Sequence, residues 1–318
     1  MTEKTTSPND DPEITRAAAL LRAGRLVAFP TETVYGLGAN ALDPAAVDRI
    51  FEAKGRPAAS PLIVHVASIH LARLIVAEWP VRADLLAHRF WPGPLTLVLK
   101  KHANIPGRVT AGLNTVGIRV PAHPVALAML RAAGVPVAAP SANLFGAVSP
   151  TRAEHVRASL GDRVDMILDG GPTDVGIEST VLSIVEEPVL LRPGMVSREQ
   201  IEAVIGPISV AGAAPADRGH ASPGMHTRHY SPATKVVLLS ANDPLPSGRG
   251  AYMFITSPRS LCKCVPMPND PDGYAAALYQ TLHELDGEGP QWIAVELPPD
   301  GPAWVAIHDR LTRAAAER

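Results

Sequence analysis

The stretch RLVAFPTETVYGLG, residues 25–38, opens the pattern from which the fold can be predicted. Its first five residues form an apolar run of strand length, and Pro30 ends that run. The polar segment that follows leads into Gly36 and Gly38, which indicates a turn at the end of the strand. Turns at strand ends in α/β sheets often hold ligands, although a plain turn would have the same composition.

Apolar runs and helical spacing alternate from this stretch as far as residue 205. The clearest helix covers residues 44–54, since Asp43 stands at its N-cap and Pro44 at its first position. Some gaps between strands are too short for a parallel crossover, so the pattern predicts an α/β domain with a twisted, mixed sheet. The other predicted strands are 62–66, 95–99, 116–120, 166–168 and 181–184, and the other predicted helices are 125–133 and 152–160.

A second, smaller α/β domain of Rossmann-like character is predicted after a linker. Residues 206–235 contain four glycines and four prolines among small polar residues, a composition typical of a linker. A chain of 318 residues is long enough for about two domains. The division is a flexible N-terminus (1–12), a larger α/β domain (13–205), a linker (206–235) and a C-terminal domain (236–318). The predicted C-terminal elements are strands 236–239, 252–255 and 292–295 and helices 273–285 and 304–315.

Several classes of protein are excluded by composition. The formal net charge is −2, which argues against a generally basic nucleic-acid coat. Residues 1–13 lack the basic start and apolar run of a signal peptide, and no long apolar run follows, so we expect a cytoplasmic protein with no membrane contact. Cys262 and Cys264 fit neither a disulfide framework nor a structural zinc pattern, and no metal ligands are assigned.

Charge is strongly segregated along the chain. Residues 85–153 contain seven Lys or Arg and no Asp or Glu. Residues 264–309 show the reverse, with eight Asp or Glu and no Lys or Arg. Exclusion of carboxylates favours a pocket that holds an anion, so the first half is expected to bind an anionic ligand in an acid-free pocket. Two ordinary solvated surfaces are the alternative interpretation.

Four further features could carry chemistry. Lys54 and Arg56 stand at a helix end, where they could bind an anion or simply interact with the helix C-terminus. His65, on an apolar strand, could be a ligand contact or a structural residue. Arg119 lies in the middle of a strand, where it needs an anionic partner, and no acid is near it in sequence. A proline-rich loop from 138 to 151 supplies hydroxyl and amide groups that could bind phosphate or cap turns.

These segments together closely resemble one family, the threonylcarbamoyl-AMP synthases in their two-domain form, which have a YrdC-like N-terminal domain. No Walker or dinucleotide-binding glycine motif is present, so an ATP site must be of another kind. The resemblance covers residues 30–194 and the linker, and after about residue 236 it is limited to position, size and α/β pattern. The matching pieces, in order, are PTETVYGLG, AKGRP with PLIVH, WPGPLT, TVGIRVP, APSAN with SPT, GIEST, LRPG and SPGMHTRHY.

The resemblance implies an activity and a set of contacts. It implies condensation of L-threonine with bicarbonate or CO2 and ATP, with Mg2+, into threonylcarbamoyl-AMP and pyrophosphate, and a downstream tRNA threonylcarbamoyl-transfer machinery that receives the product. Lys54 and Arg56 would be catalytic. Threonine contacts would be Thr33, His65, Arg119, Ala139 and Ser179. Nucleotide contacts would be Lys54, Arg56, Ser60, Thr115, Ser141, Asn143, Ser149, Arg192 and Tyr230, of which Ser60 and Ser149 lie in looser parts of the pattern.

Two hypotheses and two alternatives complete the prediction. Arg119 would take the threonine carboxylate bidentately, and the linker segment that contains Tyr230 would close as a lid over the adenylate. One alternative is an RNA-binding module that grips a phosphate backbone through the acid-free stretch. The other is a different carbamoyl- or adenylyl-transfer enzyme on the same fold. Direct tRNA binding is not required by the synthase interpretation.

Overall fold

The structure is a computed structural model that describes residues 11–57, 59–212, 229–240, 242–260 and 262–316. Its larger unit contains a ten-stranded sheet in the order β10-β9-β8-β4-β5-β3-β6-β2-β1-β7. The sheet contains both parallel and antiparallel pairs, which confirms the predicted mixed sheet. The strands are β1 (Val27–Phe29), β2 (Gly36–Asn40), β3 (Ile63–His65), β4 (Leu95–Lys100), β5 (Thr115–Arg119), β6 (Val137–Ala138), β7 (Met166–Ile167), β8 (Thr180–Ser183), β9 (Val189–Arg192) and β10 (Ser209–Val210).

Seven helices of the described residues cover this sheet. The predicted N-cap of α2 is confirmed, because Asp43 accepts from the backbone N–H groups of Ala45 and Ala46. Gly55, which was not singled out from the sequence, ends the helix in a left-handed conformation. The side chains of Lys54 and Arg56 are therefore set at a sharp helix end. The helices are α1 (Pro12–Arg22), α2 (Pro44–Lys54), α3 (Ile69–Leu74), α4 (Val81–Phe90), α5 (Pro124–Ala133), α6 (Ala153–Leu160) and α7 (Arg198–Ile205).

Gly36 and Gly38 do not form the turn that the sequence indicated. They begin β2, which pairs antiparallel with β1. A Cβ on Gly38 would lie 2.8 Å from the Phe29 ring and 2.9 Å from Cγ1 of Val137, closer than real contacts allow. The glycines are therefore needed because side chains of neighbouring strands fill the space above them, and glycine alone fits a strand there.

The smaller unit is an α/β domain with an all-parallel sheet, as predicted in outline. Its four strands follow the order β11-β14-β12-β13. They are β11 (Lys235–Leu239), β12 (Gly250–Phe254), β13 (Lys263–Pro266) and β14 (Trp292–Glu296), and the helices are α8 (Pro271–Gly287) and α9 (Val305–Ala315). Among the helices that the structure describes, none combines the length and the apolar character that crossing a lipid bilayer would require.

The two units share a hydrophobic core. Val34, Val148 and Ile177 of the larger unit pack in one cluster with Tyr230 and the apolar faces of α8 and α9. Tyr230 is 1% exposed and has a left-handed backbone with φ 60°. The expectation that Tyr230 lies outside both domains is therefore wrong. Residues 213–228, which include most of the predicted linker and lid, lie outside the described residues.

Candidate active site

A cavity lies at the carboxyl ends of β3 and β5, beside the loop that joins β1 to β2. The parallel register sets His65 directly beside Arg119, so both side chains leave the sheet at the same edge. The loop before β8, with Glu178 and Ser179, and Arg192 at the end of β9 form another part of the wall. Of the site residues expected from the sequence, the cavity brings together Thr33, Arg56, His65, Arg119, Ala139, Ser141, Ser179, Arg192 and Tyr230.

Arg119 is buried and held from three sides. Its Nε donates to the carbonyl oxygen of Gly93 at 3.1 Å, and Nη1 donates to Oγ1 of Thr33 at 2.9 Å. Its Nη2 lies 2.7 Å from Oε1 of Glu32, in an ion pair whose side chains are 4% and 7% exposed. Nη2 and the Glu32 oxygens make no aligned hydrogen bond with the described residues. The guanidinium is thus fixed in place while retaining donor capacity for an anion.

The acid-free pocket expected from the sequence is wrong. Glu178 lines the cavity, and Glu32 contacts Arg119. Both carboxylates come from outside the acid-free stretch, because the fold brings loops from other parts of the chain against it. Buried arginines require such counter-charges when no ligand is present.

His65 contributes a neutral imidazole to the wall. Burial, with the charge of Arg119 second, lowers the pKa of His65 to about 3. Its Nδ1 is buried and has no hydrogen-bond partner among the described residues. The Phe29 ring meets the imidazole edge-on, with 6.1 Å between centroids. His65 therefore offers an uncharged polar atom beside the cationic Arg119.

Ser179 and Arg192 form another part of the cavity wall. Arg192 donates through Nε and Nη2 to the carbonyl oxygen of Ser179, at 3.1 and 2.9 Å, and through Nη2 to its hydroxyl at 3.2 Å. The Ser179 hydroxyl also lies 2.8 Å from Oγ1 of Thr96 on β4. Both side chains are at least nine-tenths buried, so the wall is rigidly held.

Lys54, expected to be catalytic, binds the backbone of a loop. Its Nζ donates to the carbonyl oxygens of Ser141 and Asn143, both at 2.5 Å, and it does not line the cavity. Burial, with the charge of Arg56 second, lowers the pKa of Lys54 well below its ordinary value. Asn143 in turn donates to the carbonyl oxygens of Leu144 and Ala147 and so holds the same loop. Lys54 thus positions Ser141 from behind the wall.

Arg56 does reach the cavity. It donates through Nη2 to the carbonyl oxygen of Pro61 at 3.2 Å, and its guanidinium lies 5.6 Å from the centroid of the Phe145 ring. Its Nε is buried and has no hydrogen-bond partner among the described residues. Burial lowers the pKa of Arg56 to about 10, so the group stays charged at neutral pH.

Ser60, Thr115 and Ser149 lie outside the cavity wall. Thr115 starts β5 at the end opposite to Arg119, about 13 Å along the strand at ~3.3 Å per residue. Ser60 precedes the neighbouring β3 at the same end. The Ser149 hydroxyl donates to Oε1 of Glu178 at 2.6 Å, and its carbonyl oxygen lies 3.0 Å from Nε2 of His283 in the smaller unit.

Glu178 is the main residue that the sequence prediction missed. Besides Ser149, it accepts at Oε2 from the Tyr279 hydroxyl at 3.0 Å and from Nε of Arg310 at 2.8 Å. Burial alone would raise the pKa of Glu178, but the charges of Arg310 and Arg192 and these hydrogen bonds lower it below its ordinary value. The signal was an acid directly before Ser179 in the GIEST motif.

The mixed sheet, with its cavity at the carboxyl ends of β3 and β5 and a parallel α/β domain docked beside it, defines a YrdC-like domain with a C-terminal companion. Two family models match most of the chain. One, for the Sua5, YciO and YrdC proteins and described as telomere recombination, matches residues 19–194, and the other, described as the threonylcarbamoyl-AMP synthase C-terminal domain, matches residues 196–316. The chain belongs to the threonylcarbamoyl-AMP synthase family.

Individual relatives agree. A threonylcarbamoyl-AMP synthase of Bacillus subtilis is 46% identical, over 97% of this chain and 94% of its own. One from Alkalilimnicola ehrlichii is 35% identical, over 56% of this chain and 94% of its own. The crystal structure of Pyrococcus abyssi Sua5 complexed with L-threonine superposes with a TM-score of 0.88 at 40% identity and covers 95% of this chain and 94% of that one.

The C-terminal match corrects one expectation. The sequence motifs indicated a resemblance that was weak after about residue 236, whereas a family model covers this part as far as residue 316. Its α/β pattern carries few unusual residues, so inspection of motifs could not find the relationship. The second domain therefore belongs to the family as fully as the first.

Proposed function

We propose that this chain is an L-threonylcarbamoyladenylate synthase, which condenses L-threonine, CO2 or bicarbonate and ATP into threonylcarbamoyl-AMP and pyrophosphate. The observation that carries the proposal is the arrangement of three buried arginines on one cavity. Arg119 offers guanidinium donors at one end, beside a neutral His65, and Arg56 and Arg192 supply positive charge elsewhere on the wall. This charge pattern suits an amino-acid carboxylate and a polyphosphate held side by side.

The proposed threonine end consists of Thr33, His65, Arg119, Ala139 and Ser179. The carboxylate would bind the donors of Arg119 that Gly93 and Thr33 leave available. Ala139 lines the cavity, and its backbone N–H donates to the carbonyl oxygen of Ile63 at 2.9 Å, which fixes its position. A neutral His65 can accept a hydrogen bond through Nδ1, which suits a hydroxyl or an amine of the substrate.

The proposed nucleotide end consists of Arg56, Ser141, Arg192 and Tyr230 on the wall, with Ser60, Thr115, Asn143 and Ser149 farther out. The Tyr230 hydroxyl is buried and makes no hydrogen bond with the described residues. A buried hydroxyl without a partner is costly, so a ligand atom that pairs with it would be favoured. We propose that Lys54 acts here by positioning the Ser141–Asn143 loop and not by direct contact.

The reaction can proceed without a protein base at the phosphoryl-transfer step. The free amine of threonine adds to CO2: an N–C bond forms, one C=O double bond becomes a C–O single bond with its electron pair on oxygen, and the nitrogen releases a proton to water, which yields a carbamate anion. A carbamate oxygen then attacks the α-phosphorus, and the bond from that phosphorus to the bridging oxygen breaks and releases pyrophosphate. The protein contributes by holding two anions in line and by stabilising phosphate charge through Arg56 and Arg192.

We propose that Mg2+ enters on the triphosphate. Mg2+ prefers several oxygen ligands in octahedral geometry. Both oxygens of Glu178 already accept hydrogen bonds, and Glu32 is paired with Arg119. The described side chains therefore do not fit a dedicated magnesium site, and phosphate oxygens with water fit better. We also propose that the reaction takes place in the cytoplasm and that the product passes to a tRNA threonylcarbamoyl-transfer machinery.

An RNA-binding module is less well supported. Several cations of the acid-free stretch are engaged with acids on other elements: Lys100 lies 3.3 Å from Glu78, and Arg108 is paired with Asp48. Arg119 is buried. A continuous basic surface for a phosphate backbone is thus interrupted. Another carbamoyl- or adenylyl-transfer reaction on this fold is separated from the proposed one by the experiment below.

Mass spectrometry of the products tests the proposal. The chain is incubated with ATP, Mg2+, L-threonine and 13C-bicarbonate, and each component is omitted in turn. We expect a labelled threonylcarbamoyl-adenylate only in the complete mixture. Consumption of ATP without threonine, or no labelled adenylate from folded protein, would contradict the synthase reaction, and salt-sensitive RNA binding would then be the next measurement.

A further inference from the structure

Glu178 connects the cavity to the smaller domain. It belongs to the cavity wall, yet three of its hydrogen bonds are donated by Ser149 of the larger unit and by Tyr279 and Arg310 of α8 and α9. It is 7% exposed, so these bonds are not shared with bulk water. The position of this carboxylate therefore depends on how α8 and α9 are docked.

Arg310 is the centre of this connection. Its side chain is fully buried, and all three guanidinium nitrogens are engaged. Besides Glu178, it donates to Oδ2 of Asp309 at 2.6 Å and to the carbonyl oxygen of Pro193 at 3.0 Å. The guanidinium also lies 5.2 Å from the centroid of the Tyr230 ring. One arginine of the C-terminal domain thus contacts two residues of the cavity wall, Glu178 and Tyr230, and the backbone next to a third, Arg192.

A second contact from the same domain reaches Ser149. Nε2 of His283 on α8 lies 3.0 Å from the carbonyl oxygen of Ser149, and its ring stacks on His155 of α6 with 3.9 Å between centroids. Ser149 is therefore held twice, through its hydroxyl by Glu178 and through its carbonyl by His283. It is fully buried.

The backbone before Glu178 packs tightly against α8. Gly176 has φ 77°, and a Cβ there would lie 2.3 Å from the carbonyl oxygen of Ala275 and 2.6 Å from Cα of Ala276. The loop therefore lies directly against the backbone of α8. Ile177 continues into the shared apolar cluster. A change in how α8 sits is transmitted straight to Glu178.

We propose that Arg310 is a positioning residue for the nucleotide end of the cavity. It donates to Glu178, which in turn accepts from the Ser149 hydroxyl, and its guanidinium lies 5.2 Å from the centroid of the Tyr230 ring. This inference rests on the proposed function, since Ser149 and Tyr230 are nucleotide contacts only under that function. The C-terminal domain thereby contributes to nucleotide binding without contacting the nucleotide through Arg310 itself.

Arg310→Lys in the full-length chain is the first test. Lysine keeps the positive charge but cannot donate to Glu178, Asp309 and Pro193 in the same geometry. We measure KM for ATP and for threonine together with kcat, and we measure binding of L-threonine and of a non-hydrolysable ATP analogue separately by calorimetry. We expect KM for ATP and the dissociation constant of the analogue to rise by about tenfold. The lost charge-assisted hydrogen bonds hold Glu178, and they act on the nucleotide end only through that residue. The dissociation constant of threonine should stay within about twofold.

Arg152→Lys is the matched control. Arg152 also joins the two domains, since its Nε donates to Oε1 of Gln280 at 3.0 Å, but it is exposed and does not contact Glu178. We expect KM for ATP to stay within about twofold of the wild-type value. An equal effect of the two substitutions on ATP, or a parallel loss of ATP and threonine affinity in Arg310→Lys, would overturn the positioning role.

Tyr279→Phe keeps the proposal testable if Arg310→Lys does not fold. It removes one hydrogen bond to Glu178 and keeps the ring, so we expect a smaller rise in KM for ATP, about threefold, with unchanged threonine binding. An unchanged KM would count against the proposal. If the wild-type chain makes no threonylcarbamoyl-AMP, the proposed function fails while analogue binding still measures the effect of Arg310. If the wild-type chain does not bind the analogue, both fail.

Discussion

The two ends of the cavity are built in different ways. The proposed threonine end stands on adjacent strands of one sheet, where the register of β3 and β5 alone sets His65 beside Arg119. The proposed nucleotide end is assembled from loops of the larger unit and two helices of the smaller one, joined through Glu178 and Arg310. A sheet edge preorganises its side chains as it forms, whereas the other end requires two domains to dock. Damage to the docking should therefore affect the two substrates unequally.

The largest expected effect comes from breaking the buried pair between the domains. Arg310→Met leaves the Glu178 carboxylate buried without its main counter-charge, which should lower the free energy of unfolding by about 3–5 kcal/mol. Urea denaturation measures this loss. The double variant Glu178→Gln with Arg310→Met removes both charges and should recover much of it. Equal destabilisation of the single and double variants would show that packing, and not charge, stabilises the contact between the two domains.

Arg119→Lys probes the sheet-built end. Lysine cannot reproduce the guanidinium contacts with Gly93, Thr33 and a carboxylate, so threonine binding should weaken by about 100-fold, the equivalent of ~3 kcal/mol. Calorimetry with threonine and, separately, with the ATP analogue measures both affinities. ATP affinity should change by less than about threefold. A comparable loss for both ligands would mean that the two ends are not separate.

Acid should destabilise the threonine end through His65. The pKa of His65 is about 3 in the folded chain, against an ordinary value of 6.5, so the unfolded chain binds more protons between these values. Stability is therefore full above about pH 6.5 and falls as pH is lowered, by about 2 kcal/mol at pH 5 from this residue. Denaturation at pH 7 and pH 5 measures the difference.

His65→Asn is the control for that pH effect. It should reduce the difference in unfolding free energy between pH 7 and pH 5 by about 2 kcal/mol. The part due to other residues should remain, such as that of His155, whose pKa is lowered to about 4 by burial and, second, by the charge of His283. Glu178 acts in a different window, because its lowered pKa makes its contribution disappear only below the ordinary range of a carboxyl group. The same pH dependence in His65→Asn as in wild type would contradict the buried neutral imidazole.

The smallest expected effect concerns the Tyr230 hydroxyl. Tyr230→Phe removes a buried hydroxyl that has no partner among the described residues, so the stability of the ligand-free chain should be unchanged or slightly higher. KM for ATP should rise by about three- to tenfold, the equivalent of ~0.7–1.4 kcal/mol, if the hydroxyl meets the nucleotide. Thermal denaturation and steady-state kinetics measure the two quantities. A large loss of stability would assign the hydroxyl a structural role instead.

Local features of the fold could be predicted from the sequence. The N-cap of α2 follows from Asp43 and Pro44, which act on their immediate neighbours. The need of Arg119 for an anionic partner also follows from its position in a strand. What failed was local reasoning about β2: Gly36 and Gly38 look like turn residues until the side chains of Phe29 and Val137 are seen above them.

The site's electrostatics could not be predicted, because they depend on contacts between distant parts of the chain. Glu178 and Arg310 lie 132 residues apart, and no spacing rule connects them. The partner of Arg119 is Glu32, on a loop that precedes the acid-free stretch by many residues. Lys54 illustrates a third difficulty: a cation at a helix end can face the cavity or a loop, and the difference rests on the carbonyls of Ser141 and Asn143.

The seam between the domains also bears on modularity. Val34, Val148 and Ile177 lose their apolar cover if the chain is cut before β11, and the Glu178 carboxylate loses Arg310 and Tyr279 at the same time. A fragment that ends at β10 would expose these apolar side chains beside an unpaired carboxylate, which favours aggregation over a soluble N-terminal domain. Chimeras that exchange the second half of this protein must therefore carry compatible residues on both faces of the contact between the domains.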